Sequence, residues 1–152
     1  MSRMAVTRDR NQLRSILGVD VASWTVTPSS HLVENMTTDS LDHVTVTLAD
    51  GNVDRAFAKT IHPASASPLF EFIPPEHHAI VLEQLNWLDE PRVYGCGLES
   101  DMPEGIRLPK LLAIDRACDD RLVLWLEEVD DEGGPWNLER YRRSARALGR
   151  MT

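Results

Sequence analysis

Two strand-like segments joined by a tight turn constrain the fold of this chain more than any other feature. From Asp42 to Leu48, apolar and polar residues alternate, which is typical of a strand with one buried face. Asp50-Gly51 follows, which is a strong hairpin signal because a tight turn needs positive φ angles and these residues tolerate them. Val53 to Ile61 is then the returning strand of a hairpin. Three of its residues are predicted to share one face: Phe57, Lys59 and Ile61.

Further strands are predicted to complete a sheet around this hairpin. The residues from Leu122 to Leu126 are all apolar, so we expect a central strand that is covered on both faces. This apolar run is part of a predicted strand, Arg121–Val129. Two further strands are predicted, Ser23–Thr27 and Leu108–Ile114. Because hairpins dominate the order of elements, the sequence predicts an α+β domain with a mostly antiparallel five-stranded sheet and helices.

Four helices are predicted from apolar residues that recur at helical spacing. They span Arg8–Leu17, Pro74–Leu85, Trp87–Glu99 and Asn137–Arg150. The apolar side of the second helix comprises Ile80, Val81, Leu82 and Leu85. In the last helix, the residues expected to face inward are Leu138, Tyr141, Ala145 and Leu148. In the third helix, Gly95 and Gly97 are each expected to cost roughly 1 kcal/mol relative to alanine.

Composition excludes several classes of protein. The 152 residues include 24 acidic and 16 basic side chains, a formal net charge of −8, which argues against a nucleic-acid partner. No apolar run reaches the ~20 residues of a membrane span, and residues 1–8 lack a signal-peptide core. Cys96 and Cys118 are too few for a disulfide scaffold. We therefore expect a single cytoplasmic domain over residues 1–152, with neither nucleic acid nor membrane as a partner.

Three groups of residues, in their order and spacing, resemble one known family. The first is Ala49-Asp50-Gly51 with Phe57-Ala58-Lys59, and the second is Trp87-Leu88-Asp89-Glu90. The third is Leu124-Trp125-Leu126-Glu127-Glu128-Val129 with the helix that follows Trp136. Together they are similar to the N-terminal, nucleotide-binding lobe of the aminoglycoside phosphotransferase and choline kinase-like family, relatives of the protein kinases. The similarity spans Val21 to Arg150 and implies a protein-kinase-like N-lobe fold.

The resemblance implies a set of phosphate-binding residues. Lys59 would hold the α- and β-phosphates of a nucleotide, and Glu90 would orient that lysine from a helix. The alternative for Lys59 is an ordinary solvated lysine. The polar stretch from Val33 to Ser40 lies where these enzymes fold a loop over the phosphates, but it contains no glycine, so a plain connecting loop is an equal alternative. Its candidate phosphate-binding residues are Asn35, Thr37 and Thr38.

The end of the fifth strand resembles the hinge of these enzymes. The adenine edge would be read there by backbone groups, the carbonyl of Glu127 and the amide of Val129. Phe57 would form one wall of the base pocket, although a role in the core fits it equally well. By the same resemblance, residues 1–20 are an N-terminal helical extension, residues 127–136 are the hinge, and residues 137–150 are a helix that leads to a second lobe.

The implied activity is transfer of the γ-phosphoryl group of ATP or GTP to a hydroxyl acceptor, with Mg²⁺. The catalytic base and metal ligands of this family belong to a second lobe whose motifs this sequence lacks, so we assign no catalytic or metal-binding residue and expect the chain to be inactive alone. Glu76-His77-His78 has no partners at zinc-ligand spacing. The expected partners are a nucleotide and a second lobe or an oligomer partner. Two alternatives stay open: a stand-alone or degenerate interaction module without catalysis, and an α+β domain that binds no nucleotide.

Overall fold

The computed structural model of the chain describes residues 9–31, 33, 35–130 and 136–150, and its centre is a five-stranded antiparallel sheet. The strands lie in the order β1-β2-β3-β5-β4. Their bounds are Val21–Pro28 (β1), Thr38–Leu48 (β2), Val53–Ile61 (β3), Leu111–Cys118 (β4) and Arg121–Glu127 (β5). The α-helices of these residues are Arg10–Leu17 (α1), His78–Gln84 (α2), Asp89–Gly95 (α3) and Leu138–Leu148 (α4). The predicted α+β class with a mostly antiparallel five-stranded sheet is confirmed.

The predicted hairpin of β2 and β3 is present and sets the register of the sheet. Gly51 takes a φ of 87°, as a tight turn at this place requires. Across the pair, His43 lies opposite Phe57 and Leu41 lies opposite Lys59. Because directly opposed residues project to the same side of a sheet, these four side chains lie beside one another on one face.

β2 begins at Thr38, earlier than the predicted start at Asp42. Its first residues are polar, yet Ser40 and Asp42 are buried. The Ser40 hydroxyl lies 2.7 Å from a carboxylate oxygen of Asp42 and 3.1 Å from the hydroxyl of Thr60 on β3. Because these hydrogen bonds satisfy polar groups inside the sheet, the strand extends beyond the segment in which apolar residues alternate.

The sheet has two faces, and each carries a different helix. One face, here called the α1 face, packs against α1, whose Leu13 is fully buried. The buried strand residues of this face are Val21, Val44, Val46, Ala56, Ala58, Val123 and Trp125. The opposite face, here called the Lys59 face, carries α3. Its buried residues are Ile61, Leu122, Leu124 and Leu126, packed by Phe57, Trp87, Leu88, Tyr94 and Leu111. The internal strand β5, which lies between β3 and β4, therefore contributes to both layers, as its continuous apolar run predicted.

Helix α1 is capped at both ends and joined to the sheet. The Asp9 carboxylate accepts a hydrogen bond from the Gln12 amide over 2.9 Å, and Gly18 ends the helix with a φ of 70°. The Gln12 side chain donates to Asp115 of β4 over 2.6 Å. In its described residues, the segment predicted as an N-terminal extension (1–20) is therefore part of the core.

The helix predicted from Trp87 to Glu99 is shorter in the structure. Helix α3 ends at Gly95, and Gly97 takes a φ of 78° in the turn that follows. These glycines therefore lie at the end of the helix and beyond it, so the expected cost within its interior does not arise. Pro91 lies in the first turn, where a missing backbone amide leaves no helical hydrogen bond unmade.

The apolar sides of two helices are exposed, which for α4 is contrary to prediction. In α4, the predicted inward residues Leu138, Tyr141 and Leu148 have 63%, 59% and 64% of their surface accessible, and Ala145 is exposed as well. In the α2 region, Ile80, Leu82 and Leu85 are also exposed, whereas Val81 is half-buried. Helical periodicity identifies residues that share a side, but it does not supply a surface to cover them.

The helices of the described residues are short, from 7 residues in α2 and α3 to 11 in α4. None of them is long and apolar enough to cross a lipid bilayer.

Candidate functional site

Lys59 and Glu90 form an ion pair on the Lys59 face, as the resemblance predicted. The ammonium nitrogen of Lys59 lies 2.8 Å from one carboxylate oxygen of Glu90 and 2.6 Å from the other. The lysine side chain is 19% exposed and the glutamate side chain 38% exposed. Lys59 is therefore not the solvated surface lysine of the alternative reading: its charge is partly buried, paired and still accessible from solvent.

Packing and local hydrogen bonds hold the glutamate in this position. Trp87 and Leu88, just before α3, pack on the buried residues of the Lys59 face. The Asn86 side chain accepts from the Leu88 amide over 3.2 Å and donates to Asp89 over 2.9 Å, which orders the start of the helix. Glu90 is thus presented from the first turn of a helix whose approach to the sheet is fixed.

A pocket of about 260 Å³ opens near the C-terminal end of β5. Its lining combines apolar and polar side chains from three strands and their connections: His31, His43, Phe57, Pro109, Leu126, Glu127, Glu128 and Val129. We call this cavity the Phe57 pocket. Three residues expected at a base site, Phe57, Glu127 and Val129, therefore lie together, although Lys59 is not among the residues that line it.

A histidine and a glutamate that sequence reasoning did not select meet in the Phe57 pocket. The Nδ1 atom of His43 lies 2.7 Å from Oε1 of Glu128. The His43 ring also packs edge-on against Phe57, with ring centroids 5.3 Å apart. The Glu128 side chain is only 16% exposed, and its other carboxylate oxygen is buried with no hydrogen-bond partner among the described residues.

Of the three candidate phosphate-binding residues, Asn35 and Thr37 are accessible to solvent, whereas Thr38 is buried. Asn35 and Thr37 lie in the turn before β2, where the Asn35 carboxamide oxygen accepts from the Thr37 amide over 3.1 Å. Thr38 instead begins β2 and is 6% exposed, with a buried hydroxyl that has no partner in the described residues. This turn lies at the Ile61 end of β3, since Thr38 pairs with Ile61.

Glu127 has a structural role besides its place in the pocket. Its carboxylate accepts from the Arg107 guanidinium and from the Lys110 amide, the latter over 2.9 Å. The bond from Arg107 lowers the pKa of Glu127, and the Lys110 amide lowers that pKa further. The side chain therefore ties the end of β5 to the segment before β4. Of the predicted hinge (127–136), residues 131–135 lie outside the described residues.

No protein-family model matches the chain, and neither a curated protein nor a solved structure is significantly similar to it. The chemistry of the site is therefore the guide to its function. The Lys59 face offers a held cation for an anionic group and, beside it, a largely apolar pocket for a planar one. In the part of the chain that the structure describes, no three His, Cys, Asp or Glu side chains are grouped so that they could hold a metal ion.

Sequence reasoning missed two pocket residues, His43 and Glu128. They differ in whether a local sequence pattern relates them to other residues of the site. His43 occupies a polar position of the alternating segment, and the hairpin register sets it directly opposite Phe57. The three-residue turn 49–51 sets this register, because Leu48 and Asn52 pair across it. A two-residue turn would have set His43 opposite Ala58. Glu128 is 85 residues away from His43 along the chain, and no local pattern joins the two.

Proposed function

We propose that this domain is the nucleotide-binding lobe of an ATP- or GTP-dependent phosphotransferase that phosphorylates a hydroxyl acceptor. The observation that carries the proposal is the ion pair of Lys59 and Glu90 on the same sheet face as the Phe57 pocket. A lysine that binds phosphate must be charged and positioned, and a carboxylate at hydrogen-bond distance favours both. Here that carboxylate comes from a packed helix.

The spacing of the two features suits a nucleotide. Phe57 and Lys59 are two residues apart on one strand, so their side chains emerge on one face about 7 Å apart. The base would lie in the Phe57 pocket, and the phosphates would lie towards Lys59. The turn that holds Asn35 and Thr37 lies at the Ile61 end of the same strand, and it would approach the phosphates from that side.

The described residues would bind and orient the nucleotide, whereas the chemistry of transfer would need a second lobe. Phosphoryl transfer depends mainly on positioning and on stabilisation of charge. Mg²⁺ would neutralise part of the phosphate charge, with its ligands supplied by that second lobe. We therefore expect the 152-residue chain to have no phosphotransferase activity by itself; turnover above that of a Lys59→Ala variant would contradict this part of the proposal.

The test is calorimetric titration of MgATP and MgGTP into the chain. We expect a dissociation constant on the order of 1 mM for one or both nucleotides, because a single lobe supplies only part of the contacts. Lys59→Ala should weaken binding by about tenfold or more, since it removes the charge-assisted contact to phosphate. Lys110 is the other lysine of the chain and its side chain is exposed, so Lys110→Ala is the matched control and should change binding less than about twofold.

Two outcomes of this titration would contradict the proposal. One is the absence of binding at nucleotide concentrations well above 1 mM, which is about the constant expected of a weak complex. The other is an equal loss of nucleotide affinity in Lys59→Ala and Lys110→Ala, because a general loss of positive charge would then explain the effect.

A second candidate function is a non-catalytic interaction module. The observation that favours it is the exposed apolar side of α4, which includes Leu138, Tyr141 and Leu148. An oligomer held together by this side would make the midpoint of unfolding depend on protein concentration, whereas a monomer would show no such dependence.

A further inference from the structure

The His43–Glu128 pair lines the Phe57 pocket and is arranged so that His43 could accept a hydrogen bond from a ligand. When Glu128 is ionised its carboxylate oxygen can only accept a hydrogen bond, so Nδ1 of His43, which lies 2.7 Å away, then carries the proton of this bond. In a neutral imidazole the other nitrogen, Nε2, is then an acceptor. No hydrogen bond to Nε2 occurs within the described residues.

Two contacts orient the His43 ring, and its side chain is 40% exposed. His43 is fixed on one side by the Glu128 carboxylate and on another by the Phe57 ring. The second oxygen of Glu128 is buried and also lacks a donor among the described residues. With His43 neutral, Nε2 is the acceptor that the pair can offer to a ligand in the pocket, and a ligand that brings an N–H donor would satisfy it. A ligand edge without a donor would leave it unpaired at a cost in affinity.

We propose that His43, oriented by Glu128, selects a nucleotide whose base carries an exocyclic amino group, by accepting a hydrogen bond from that group. The proposal rests on the proposed nucleotide function and adds a specificity-determining residue to it. His43 contacts the ligand in this account, whereas Glu128 acts through His43 as a positioning residue. Recognition of the base by the Glu127 carbonyl and the Val129 amide, which the family resemblance implies, does not involve the side chain of His43 or of Glu128.

The test compares nucleotides that differ by one amino group. The first pair is MgATP and the Mg²⁺ complex of purine riboside triphosphate, which lacks the 6-amino group. The second pair is MgGTP and MgITP, which differ in the 2-amino group. NMR titration measures the millimolar constants expected here. In at least one pair, the amino-bearing nucleotide should bind about tenfold more tightly to the unmodified chain, the value of one hydrogen bond.

Substitution of the histidine should remove this preference. In His43→Phe an aromatic ring remains against Phe57 but the acceptor is lost, so the two nucleotides of the discriminated pair should bind equally. Glu128→Ala should reduce the preference, because the imidazole is no longer held. His77→Phe makes the same chemical change at an exposed histidine outside the pocket and should leave the preference intact.

The outcomes separate this inference from the proposed function. Equal binding within both pairs by the unmodified chain would overturn the inference, and no variant needs to fold for that result. A preference that persists in His43→Phe would overturn it as well. In either case, binding that still depends on Lys59 would leave the proposed function standing. Absence of binding for all four nucleotides would overturn both.

Discussion

At the scale of single residues, the distinctive feature is a lysine that is partly buried beside its counter-charge. The Lys59 side chain is 19% exposed, and both oxygens of Glu90 lie within hydrogen-bond distance of its ammonium group. A charge in such a place is costly without a partner, whereas an exposed ion pair contributes little. Asp89, the neighbour of Glu90, makes a pair of the exposed kind with Arg92.

Glu90→Gln should therefore destabilise the fold more than Asp89→Asn does. We expect a loss of about 1 kcal/mol in the free energy of unfolding for Glu90→Gln, between the values for exposed and buried pairs. Asp89→Asn should stay within about 0.5 kcal/mol of the unmodified chain. Urea denaturation measures both values, and equal effects of the two substitutions would show that the Lys59 pair behaves as an ordinary surface contact.

At the scale of elements, α1 and α4 show what an amphipathic pattern does and does not determine. Both have apolar residues at helical spacing, and both are capped by a side chain, Asp9 in α1 and Asn137 in α4. Yet Leu13 of α1 is fully buried, whereas Leu148 of α4 is 64% exposed. Local sequence therefore predicts that a helix forms, while its burial depends on a partner surface elsewhere in the fold.

Leucine-to-alanine substitutions in the two helices should differ sharply. Leu13→Ala should reduce the free energy of unfolding by about 2–5 kcal/mol, because it removes buried methyl groups and leaves a cavity. Leu148→Ala should change that energy by less than about 0.5 kcal/mol. Thermal or urea denaturation compares them directly. A large effect of Leu148→Ala that grows with protein concentration would contradict the exposed position of this leucine and favour an oligomer.

The same distinction explains how much of the site was predictable. The shared face of Phe57 and Lys59 follows from strand alternation, so local pattern suffices for it, whereas the pairing of His43 with Phe57 depends on the exact length of the turn. The partner of Lys59 was predicted from a family resemblance, since Glu90 is 31 residues away in sequence. The burial of Thr38 and the pairing of His43 with Glu128 depend on hydrogen bonds between distant strands, which hydropathy does not encode.

At the scale of the whole molecule, the two faces of the sheet differ in how they are covered. The α1 face is a closed apolar layer around Leu13 and Trp125. In the described part of the chain, α3 and the residues just before it pack on the Lys59 face, and the Phe57 pocket opens on the same face. In the proposed function, one side of the five-stranded sheet supplies stability while the other side presents a cation and a cavity to the nucleotide.

The most direct test of this account is to map the nucleotide on the two faces. In ¹H–¹⁵N NMR spectra recorded while MgATP or MgGTP is added, we expect amide shifts at His43, Phe57, Lys59 and Val129. Amides of α1 should not move, because that helix lies on the opposite face. Shifts confined to α1 or α4, or spectra that do not change at saturating nucleotide, would contradict the claim that the Lys59 face is the nucleotide site.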